Sequence, residues 1–398
     1  MKRQDGPKKL VFLTDVLYRK DNMLRIFCQK ISWLAENSEY EIYLVLTEKT
    51  RIPARYELSP KVIVVSLDVN YERLKKKEFL DKYISYVRKL YTHRKRLKKF
   101  LYQARPVATV SMMGRELLFL SRIKDGSQKI YEFHYDIRSC VAYSKRQIST
   151  FVYLLLQWYN IIKVLFLIRK RDVVVADTET ITQKLKRYFK NIVFIPNPLK
   201  DYPPVIGKNE SKKVMAIGDF QSERGFNHLI DVWERNTRKF PDWRLHLYGD
   251  GNQERYRNMI KSRRLGRVIQ CYERPNNLYE TYPKYSIFVQ AYGFDKFGRH
   301  LMEAMALGIP CVAYDVPYGP GELIRDELNG FLVNPNYLLD FSSKVGMLMR
   351  HEEKRMAMGL QAHEDVGRYE VNRVMDEWMK LYNSISFRKK RYLIIREK

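Results

Sequence analysis

The sequence predicts an α/β protein of two domains, each built on a parallel sheet. Short β-branched or aromatic runs alternate with helical segments in both halves of the chain, as in βαβ units. The 398 residues are enough for two domains of ordinary size, each with its own core. Residues 199–211, a mostly polar stretch that contains prolines, are interpreted as the linker.

The first half contains strand runs separated by helical patterns. A helical pattern over residues 23–35 lies between the first two of these runs, which indicates a βαβ unit. No glycine follows the first run, so a phosphate cradle is not expected in that loop. The predicted strands of this half are 9–14, 40–46, 62–65, 108–111, 129–134, 173–176 and 193–195.

A basic helical segment is predicted at residues 71–105. Apolar residues recur there at helical spacing from Leu80 to Tyr91, and cations fill much of the rest. Two interpretations stay open: a solvated face on a helix packed against the core, or a surface that meets anionic lipid or an acidic acceptor. The cations assigned to this surface are Arg88, Lys89, Arg94, Lys95, Arg96, Lys98 and Lys99.

The charge of the chain is concentrated in its first half. Residues 1–200 hold 41 Lys and Arg against 19 Asp and Glu, and the whole chain carries a formal charge of +28. Such a field attracts nucleic acid, an anionic membrane or an acidic polymer, and it also occurs on basic surfaces that are merely soluble. No nucleic-acid recognition motif accompanies the charge, so a specific nucleic-acid partner is not expected.

Cysteine usage indicates a reduced, cytosolic compartment. The four cysteines are scattered without a C-x-x-C spacing, which favours neither a zinc site nor a disulfide framework. The apolar stretch 151–168 contains Gln157, Asn160 and Lys163 and falls short of a clean apolar span, so a membrane span is not predicted there, and an interfacial helix stays possible. The N-terminus is interpreted as the first strand and not as a signal peptide.

The second half repeats the alternation and contains the most informative stretch, residues 294–333. A loop with Gly298 leads into an Ala/Met/Leu helix that carries Glu303. The backbone amides of Phe297, Gly298 and Arg299 would form an anion site at the start of that helix, where the helix dipole adds positive charge. Asp295 and Glu303 are two carboxylates that flank this site; alternatively, Glu303 only complements the helix dipole.

This stretch resembles the donor-site signature of the retaining GT-B glycosyltransferases of family 4 (group 1), of the kind that acts in bacterial cell-surface polysaccharide synthesis. The matching residues are Asp295-Lys296-Phe297-Gly298, then Glu303-Ala304-Met305-Ala306 and the following GIPCVAYDVPYGPGELI. The family's first Glu is Asp295 in this chain, and the glycine after it is Lys296. The blocks around residues 218–231 and 248–251 are similar to further family blocks. The family also has a helix at the apolar stretch 151–168, which implies that this helix is buried.

The resemblance implies roles for individual residues. Arg224 stands at the position of a lysine that holds the donor diphosphate in the family. Asp219, which follows the donor-site glycine Gly218, stands at the position of an arginine with the same task. Glu303 would bind the ribose of the nucleotide and Asp295 the donor sugar. His134, followed by Asp136, would contact that sugar from the other domain; the other interpretation is a packed core histidine.

The resemblance also implies the architecture and the reaction. It predicts a GT-B fold, α/β with two Rossmann-like domains facing across a cleft: an acceptor domain at 1–198, the linker 199–211, a nucleotide-sugar domain at 212–375, and at 376–398 a helix crossing back to the first domain, with a basic tail. No cofactor or metal is expected. The donor would be a UDP-linked sugar. The basic first half of the chain adds the expectation of a lipid-linked or anionic glycan acceptor at the cytoplasmic face of an anionic membrane. The alternative, motivated by Asp219 and the glycine-free first loop, is an inactive GT-B protein that acts as a binding partner.

Overall fold

The fold is described by a computed structural model. It covers residues 7–18, 22–49, 56–71, 79–133, 162–199, 201–203, 207, 209–221, 226–275, 277–291, 298–316, 319–335 and 337–396. The chain divides into two compact units, of which unit 1 consists of residues 1–200 and 372–398 and unit 2 of residues 201–371.

Unit 1 contains a parallel sheet of seven strands among its described residues. Their order across the sheet is β3-β2-β1-β4-β5-β6-β7. The central strand β4 is buried at every position, so both faces of the sheet are covered there, as is typical of parallel sheets, whereas the edge strand β3 is mostly exposed. The strands are β1 (Lys9–Thr14), β2 (Glu41–Leu46), β3 (Ile63–Ser66), β4 (Ala108–Ser111), β5 (Gln128–Phe133), β6 (Val173–Ala176) and β7 (Ile192–Phe194).

Unit 2 contains a second parallel sheet, with six strands in the described part of the chain. The order is β10-β9-β8-β11-β12-β13. Its core includes Trp233, Tyr256 and Phe331, packed between the sheet and its helices. The strands are β8 (Lys213–Asp219), β9 (Arg244–Asp250), β10 (Ile269–Glu273), β11 (Ile287–Gln290), β12 (Cys311–Tyr314) and β13 (Gly330–Val333).

Helices alternate with these strands in both units, as the sequence pattern predicts. Those of unit 1, in its described residues, are α1 (Asn22–Asn37), α2 (Phe79–Ala104) and α3 (Glu179–Lys186), and residues 162–167 are also helical. Those of unit 2 are α4 (Asn227–Asn236), α5 (Glu254–Ser262), α6 (Arg299–Ala306), α7 (Leu338–Arg350) and α8 (Glu352–Val366). The last helix, α9 (Val371–Arg396), lies almost wholly in unit 1.

Helix α9 packs on unit 1 through aromatic and polar contacts. Tyr382 meets the ring of Phe12 edge to face, and the Tyr40 hydroxyl donates to Asn383 Oδ1 at 2.9 Å. Trp378 lies 4.4 Å beneath the ammonium group of Lys30, which also pairs with Glu132 on β5. A buried cation is thus held by a carboxylate and an aromatic ring together, which offsets its loss of hydration.

The buried residues of the basic helix α2 are not those of the apolar stripe read from the sequence. The buried side of this helix carries His93, Leu97 and Leu101. Tyr83, Ile84, Val87 and Tyr91, which the interpretation of a helix packed against the core would bury, are exposed, with Tyr91 69% accessible. No helix in the described part of the chain is long and apolar enough to cross a membrane, and most of the predicted helix 151–168 lies outside that part.

Candidate functional site

The topology of unit 2 locates a crevice at one edge of its sheet. From β8 the chain moves outward through β9 and β10, then returns to β11 on the other side of β8 and moves outward through β12 and β13. Ligands of open α/β sheets bind outside the carboxyl ends of the strands at such a reversal of direction. The crevice therefore lies beyond the ends of β8 and β11, where α6 begins.

Gly298 forms the start of α6 at this crevice. Its backbone is left-handed, with φ of +62°, a conformation that glycine adopts without the steric cost of a side chain. The helix begins immediately afterwards, as Met302 donates its amide to the Gly298 carbonyl at 2.8 Å. The first amides of the helix have no acceptor within it, so they are suited to an anion.

Glu303 lies one turn into α6 and is 3% exposed. Its Oε1 accepts from Arg299 Nε at 2.8 Å, and its Oε2 lies 3.2 Å from the Tyr282 hydroxyl and 3.3 Å from His300 Nδ1. Burial alone would raise the pKa of this carboxyl, but the hydrogen bond from His300 and the charge of Arg299 outweigh it and lower the pKa to about 2. Glu303 is therefore an ionised carboxylate in a nearly dry position.

Arg274 connects this carboxylate to the end of β8. Its Nη1 lies 3.2 Å from His300 Nε2, and its Nη2 donates to the Gly218 carbonyl at 3.1 Å. Because an arginine can only donate, His300 Nε2 is the acceptor, and the ring proton is then on Nδ1, which faces Glu303. A third nitrogen of Arg274, Nε, lies 3.0 Å from Asp250 Oδ2 at the end of β9.

Four of the predicted donor-site residues are described, and the structure brings them to this edge. Gly218 is in β8, Gly298 precedes α6, and Arg299 and Glu303 lie in α6. The Arg299 side chain is directed back to Glu303, so it is the amide of this residue that suits an anion at the start of the helix. The other predicted residues, His134, Arg224, Asp295 and Phe297, lie outside the described residues.

The cations predicted for the surface of α2 divide into two groups. Lys89 donates to the carbonyls of Val69 and Asn70, and Arg96 donates to those of Leu67 and Asp68. These two side chains therefore hold the segment after β3 against the helix. The remaining five are exposed on α2: Arg88, Arg94, Lys95, Lys98 and Lys99.

Three residues of the site were missed from the sequence. Arg274 directly follows β10, and its place after a parallel strand is a signal that the switch-point rule could have used. His300 stands three residues before Glu303, a spacing that brings side chains together on a helix. Tyr282 carries no such signal, because only the fold brings it to α6.

Side chains that could bind a metal ion are not clustered in the described ranges. No group of three or more His, Cys, Asp or Glu side chains there is arranged to hold one. Cys28, Cys271 and Cys311 are free, buried thiols, and burial raises the pKa of each, to about 12 for Cys28 and about 11 for Cys271.

Comparisons with known proteins agree with this location. Residues 200–365 match the family model of glycosyl transferases group 1, which covers nearly all of unit 2. An uncharacterized glycosyltransferase of Haemophilus influenzae is 28% identical over 211 residues, 52% of this chain and 60% of that protein. A poly(ribitol-phosphate) alpha-N-acetylglucosaminyltransferase of Staphylococcus aureus is 25% identical over 197 residues, 49% of this chain and 40% of that protein. The chain thus spans less than two thirds of either relative.

Solved structures share the fold over nearly the whole chain. A point mutant of S. aureus TarM, in complex with fondaparinux, alpha-GlcNAc-glycerol and UDP, superposes with a TM-score of 0.70. The match covers 94% of this chain and 100% of that one at 15% identity. The architecture is therefore α/β with two Rossmann-like units that match GT-B structures, as the sequence predicted.

Proposed function

We propose that this chain is a glycosyltransferase that transfers a sugar from a UDP-linked donor, with retention of configuration, to a lipid-linked or anionic glycan in bacterial cell-surface polysaccharide synthesis. One observation carries the proposal. At the switch point of the unit 2 sheet, a helix begins at a left-handed glycine and holds a buried, ionised Glu303 one turn later. An anion site beside a fixed hydrogen-bond acceptor suits a nucleotide, which has both phosphates and ribose hydroxyls.

The proposed chemistry is mainly electrostatic. In the transition state negative charge grows on the departing diphosphate, and dipoles already aimed at that position stabilise it without reorganising. The amides at Gly298 and Arg299 and the dipole of α6 would provide this in unit 2. Glu303, oriented by Arg299, His300 and Tyr282, would accept hydrogen bonds from the ribose. In this proposal the protein's own groups bear the charge, so the reaction needs no bound metal.

The comparisons support the choice of substrates. The family match coincides with the unit that holds the crevice. One relative is named for transfer to poly(ribitol-phosphate), an anionic polymer, and the TarM structure contains UDP. The basic first half of this chain has the charge that an anionic acceptor or membrane requires.

The outer face of α2 supports a membrane-facing role at the cytoplasmic side. Opposite the buried stripe of this helix, Ile84, Tyr91 and Tyr102 are exposed and alternate with Arg88, Lys95 and Lys98. Aromatic and aliphatic side chains interleaved with cations are typical of helices that lie at the surface of anionic lipid. This face would bring the enzyme to a lipid-linked acceptor.

Donor turnover tests the proposal. The purified protein is incubated with a panel of nucleotide sugars and membrane-derived acceptors, and nucleotide release is measured. We expect release from one donor, and Glu303→Gln should lower it about 100-fold because a charged hydrogen-bond acceptor for the ribose is lost. The control is Glu353→Gln, which neutralises an exposed carboxylate on α8 and should keep full activity.

The same assay examines the finer parts of the proposal. The product anomer, determined by NMR, should keep the configuration of the donor, and a chelator should leave the rate unchanged. An inverted product would contradict retention. Nucleotide binding without release from any donor would favour the inactive binding partner instead, and absence of any nucleotide binding would overturn the donor site.

A further inference from the structure

The guanidinium of Arg274 occupies the space between the two elements that form the crevice. One edge of it contacts the carbonyl of Gly218 at the end of β8, and another contacts His300 in the first turn of α6. About a quarter of the side chain is exposed. These contacts place a permanent positive charge where the switch-point rule locates an anionic ligand.

The contacts of Arg274 leave part of its hydrogen-bonding capacity for a ligand. A guanidinium has five N–H groups, and the contacts with His300 and Gly218 engage one on each terminal nitrogen, whereas Nε lies 3.0 Å from Asp250 Oδ2 as an ion pair without a hydrogen bond. Each terminal nitrogen therefore has a second N–H group. A planar pair of donors of this kind matches two oxygens of a phosphate group.

The nearby charges show why such a cation is needed. Asp219 ends β8 and is exposed, and its Oδ1 accepts the amide of Gln221 at 2.8 Å. Arg299, the cation in the first turn of α6, is paired with Glu303. A diphosphate at this edge would meet the carboxylates of Asp219 and Asp250 unless another side chain balanced them, and Arg274 is the described cation that contacts both sides of the crevice.

We infer that Arg274 binds the diphosphate of the nucleotide donor and supplies the positive charge that Asp219 does not. The inference rests on the proposed function and goes beyond it by naming the residue and the part of the donor it contacts. The guanidinium also donates to His300, so one side chain links the diphosphate to the histidine that orients Glu303.

Nucleotide binding to the purified chain tests this role. Dissociation constants for UDP and UMP are measured by calorimetry, with ADP and GDP and their monophosphates as alternatives. Arg274→Gln should weaken diphosphate binding about 10- to 100-fold and reduce the preference for diphosphate over monophosphate. Arg274→Lys keeps the charge but not the planar pair of donors, and its loss of diphosphate affinity should be several-fold smaller. Arg267→Gln removes an exposed cation just before the start of β10 and should change neither constant.

A relocated charge separates ligand binding from a purely structural role. In the double variant Asp219→Arg/Arg274→Gln, the residue after Gly218 carries the positive charge instead. The preference for diphosphate over monophosphate should therefore return in large part. If Arg274 only holds the loops together, Arg274→Gln should weaken the binding of UDP and of UMP equally, and the double variant should not regain the preference for diphosphate. That result would overturn the inference while the proposed function stands. If the unmodified chain binds no nucleoside diphosphate, the proposed function fails, and this inference with it.

Discussion

Glu303 combines burial with ionisation, two properties that normally oppose each other. A buried carboxyl usually keeps its proton, because the charged form loses its hydration. Here His300, Arg299 and Tyr282 replace the water, and the pKa falls to about 2. A carboxylate with this environment stays charged at any physiological pH and accepts hydrogen bonds in a fixed direction.

The depressed pKa of Glu303 predicts how its contribution to stability depends on pH. An unfolded glutamate titrates near pH 4.3, so the folded state favours the ionised form by about 3 kcal/mol at neutral pH. That contribution is complete above about pH 5 and is lost as the pH falls toward 2. Glu303→Gln should therefore be less stable than the unmodified chain at pH 7, and the difference should shrink on acidification, as measured by urea unfolding between pH 7 and pH 3.

Glu353→Gln is the control for this series, since it removes an exposed carboxylate of the same unit. Its unfolding curve should follow that of the unmodified chain at each pH. If the free energies of unfolding of Glu303→Gln and of the unmodified chain differ by the same amount from pH 7 to pH 3, the ionisation of Glu303 does not stabilise the fold.

At the level of single residues, the sequence identified what local spacing can identify. Gly298 before α6 and Glu303 within it follow from helix-start signals and from the family resemblance. Arg274 and Tyr282 are brought to α6 by the order of strands in the sheet, which no local pattern encodes. Whether His134 and Asp295 contact the donor stays a prediction.

At the level of elements, helix α6 owes its position to a close approach of α8. Gly359 on α8 lies against the turn that follows α6, and a Cβ atom added at Gly359 would overlap the carbonyl oxygen of Gly308. The same carbonyl accepts from Asn209 Nδ2 at 2.7 Å, and His363 Nδ1 lies 2.7 Å from the Ala306 carbonyl. The carboxyl end of α6 is thus fixed by a close contact with α8 that only a glycine at position 359 permits.

Gly359→Ala should accordingly weaken both the fold and the site. The added methyl group must displace α8 or the Gly308 turn, at a cost of about 3 kcal/mol, the upper part of the range for overpacked positions. We expect a lower unfolding temperature for unit 2 and weaker binding of the donor nucleotide, because α6 moves with the turn. Both are measurable by calorimetry on the same sample.

Gly266→Ala is the matched control, since a Cβ there meets no atom within 4 Å and the backbone is not left-handed. This variant should be neutral or slightly more stable, because alanine restricts the unfolded chain. Equal destabilisation by both substitutions would mean that the α6–α8 contact is not specific.

The elements themselves were predictable to different degrees. Runs of β-branched residues located β1 at its observed bounds and most other strands to within one or two residues, because strands buried on both faces are uniformly apolar. The apolar stripe from Leu80 to Tyr91 did not identify the buried face of α2. Spacing alone showed that apolar residues share a side of this helix, but not that His93, Leu97 and Leu101 are the ones that are buried.

At the level of the whole molecule, positive charge and exposed apolar surface occur together on unit 1. The first 200 residues carry most of the excess of Lys and Arg, and α2 exposes aromatic rings between its cations. Two of those cations, Lys89 and Arg96, are occupied by backbone carbonyls. The cations that remain for a partner on the outer face of α2 are therefore known individually, and substituting them tests the membrane hypothesis.

Binding to lipid vesicles should depend on the exposed cations of α2 more than on the net charge of the chain. Neutralising Arg88, Lys95 and Lys98 together to Gln should weaken partition into vesicles rich in anionic lipid about 100-fold at low salt, since each cation near such a surface contributes about 1 kcal/mol. Lys184, Lys186 and Lys190, exposed cations of the same unit on and after α3, form a matched triple with the same loss of charge. Sedimentation with vesicles would show a large loss for the first triple and a small one for the second if α2 is the contact face, whereas equal losses would mean that only the overall field of unit 1 attracts the membrane.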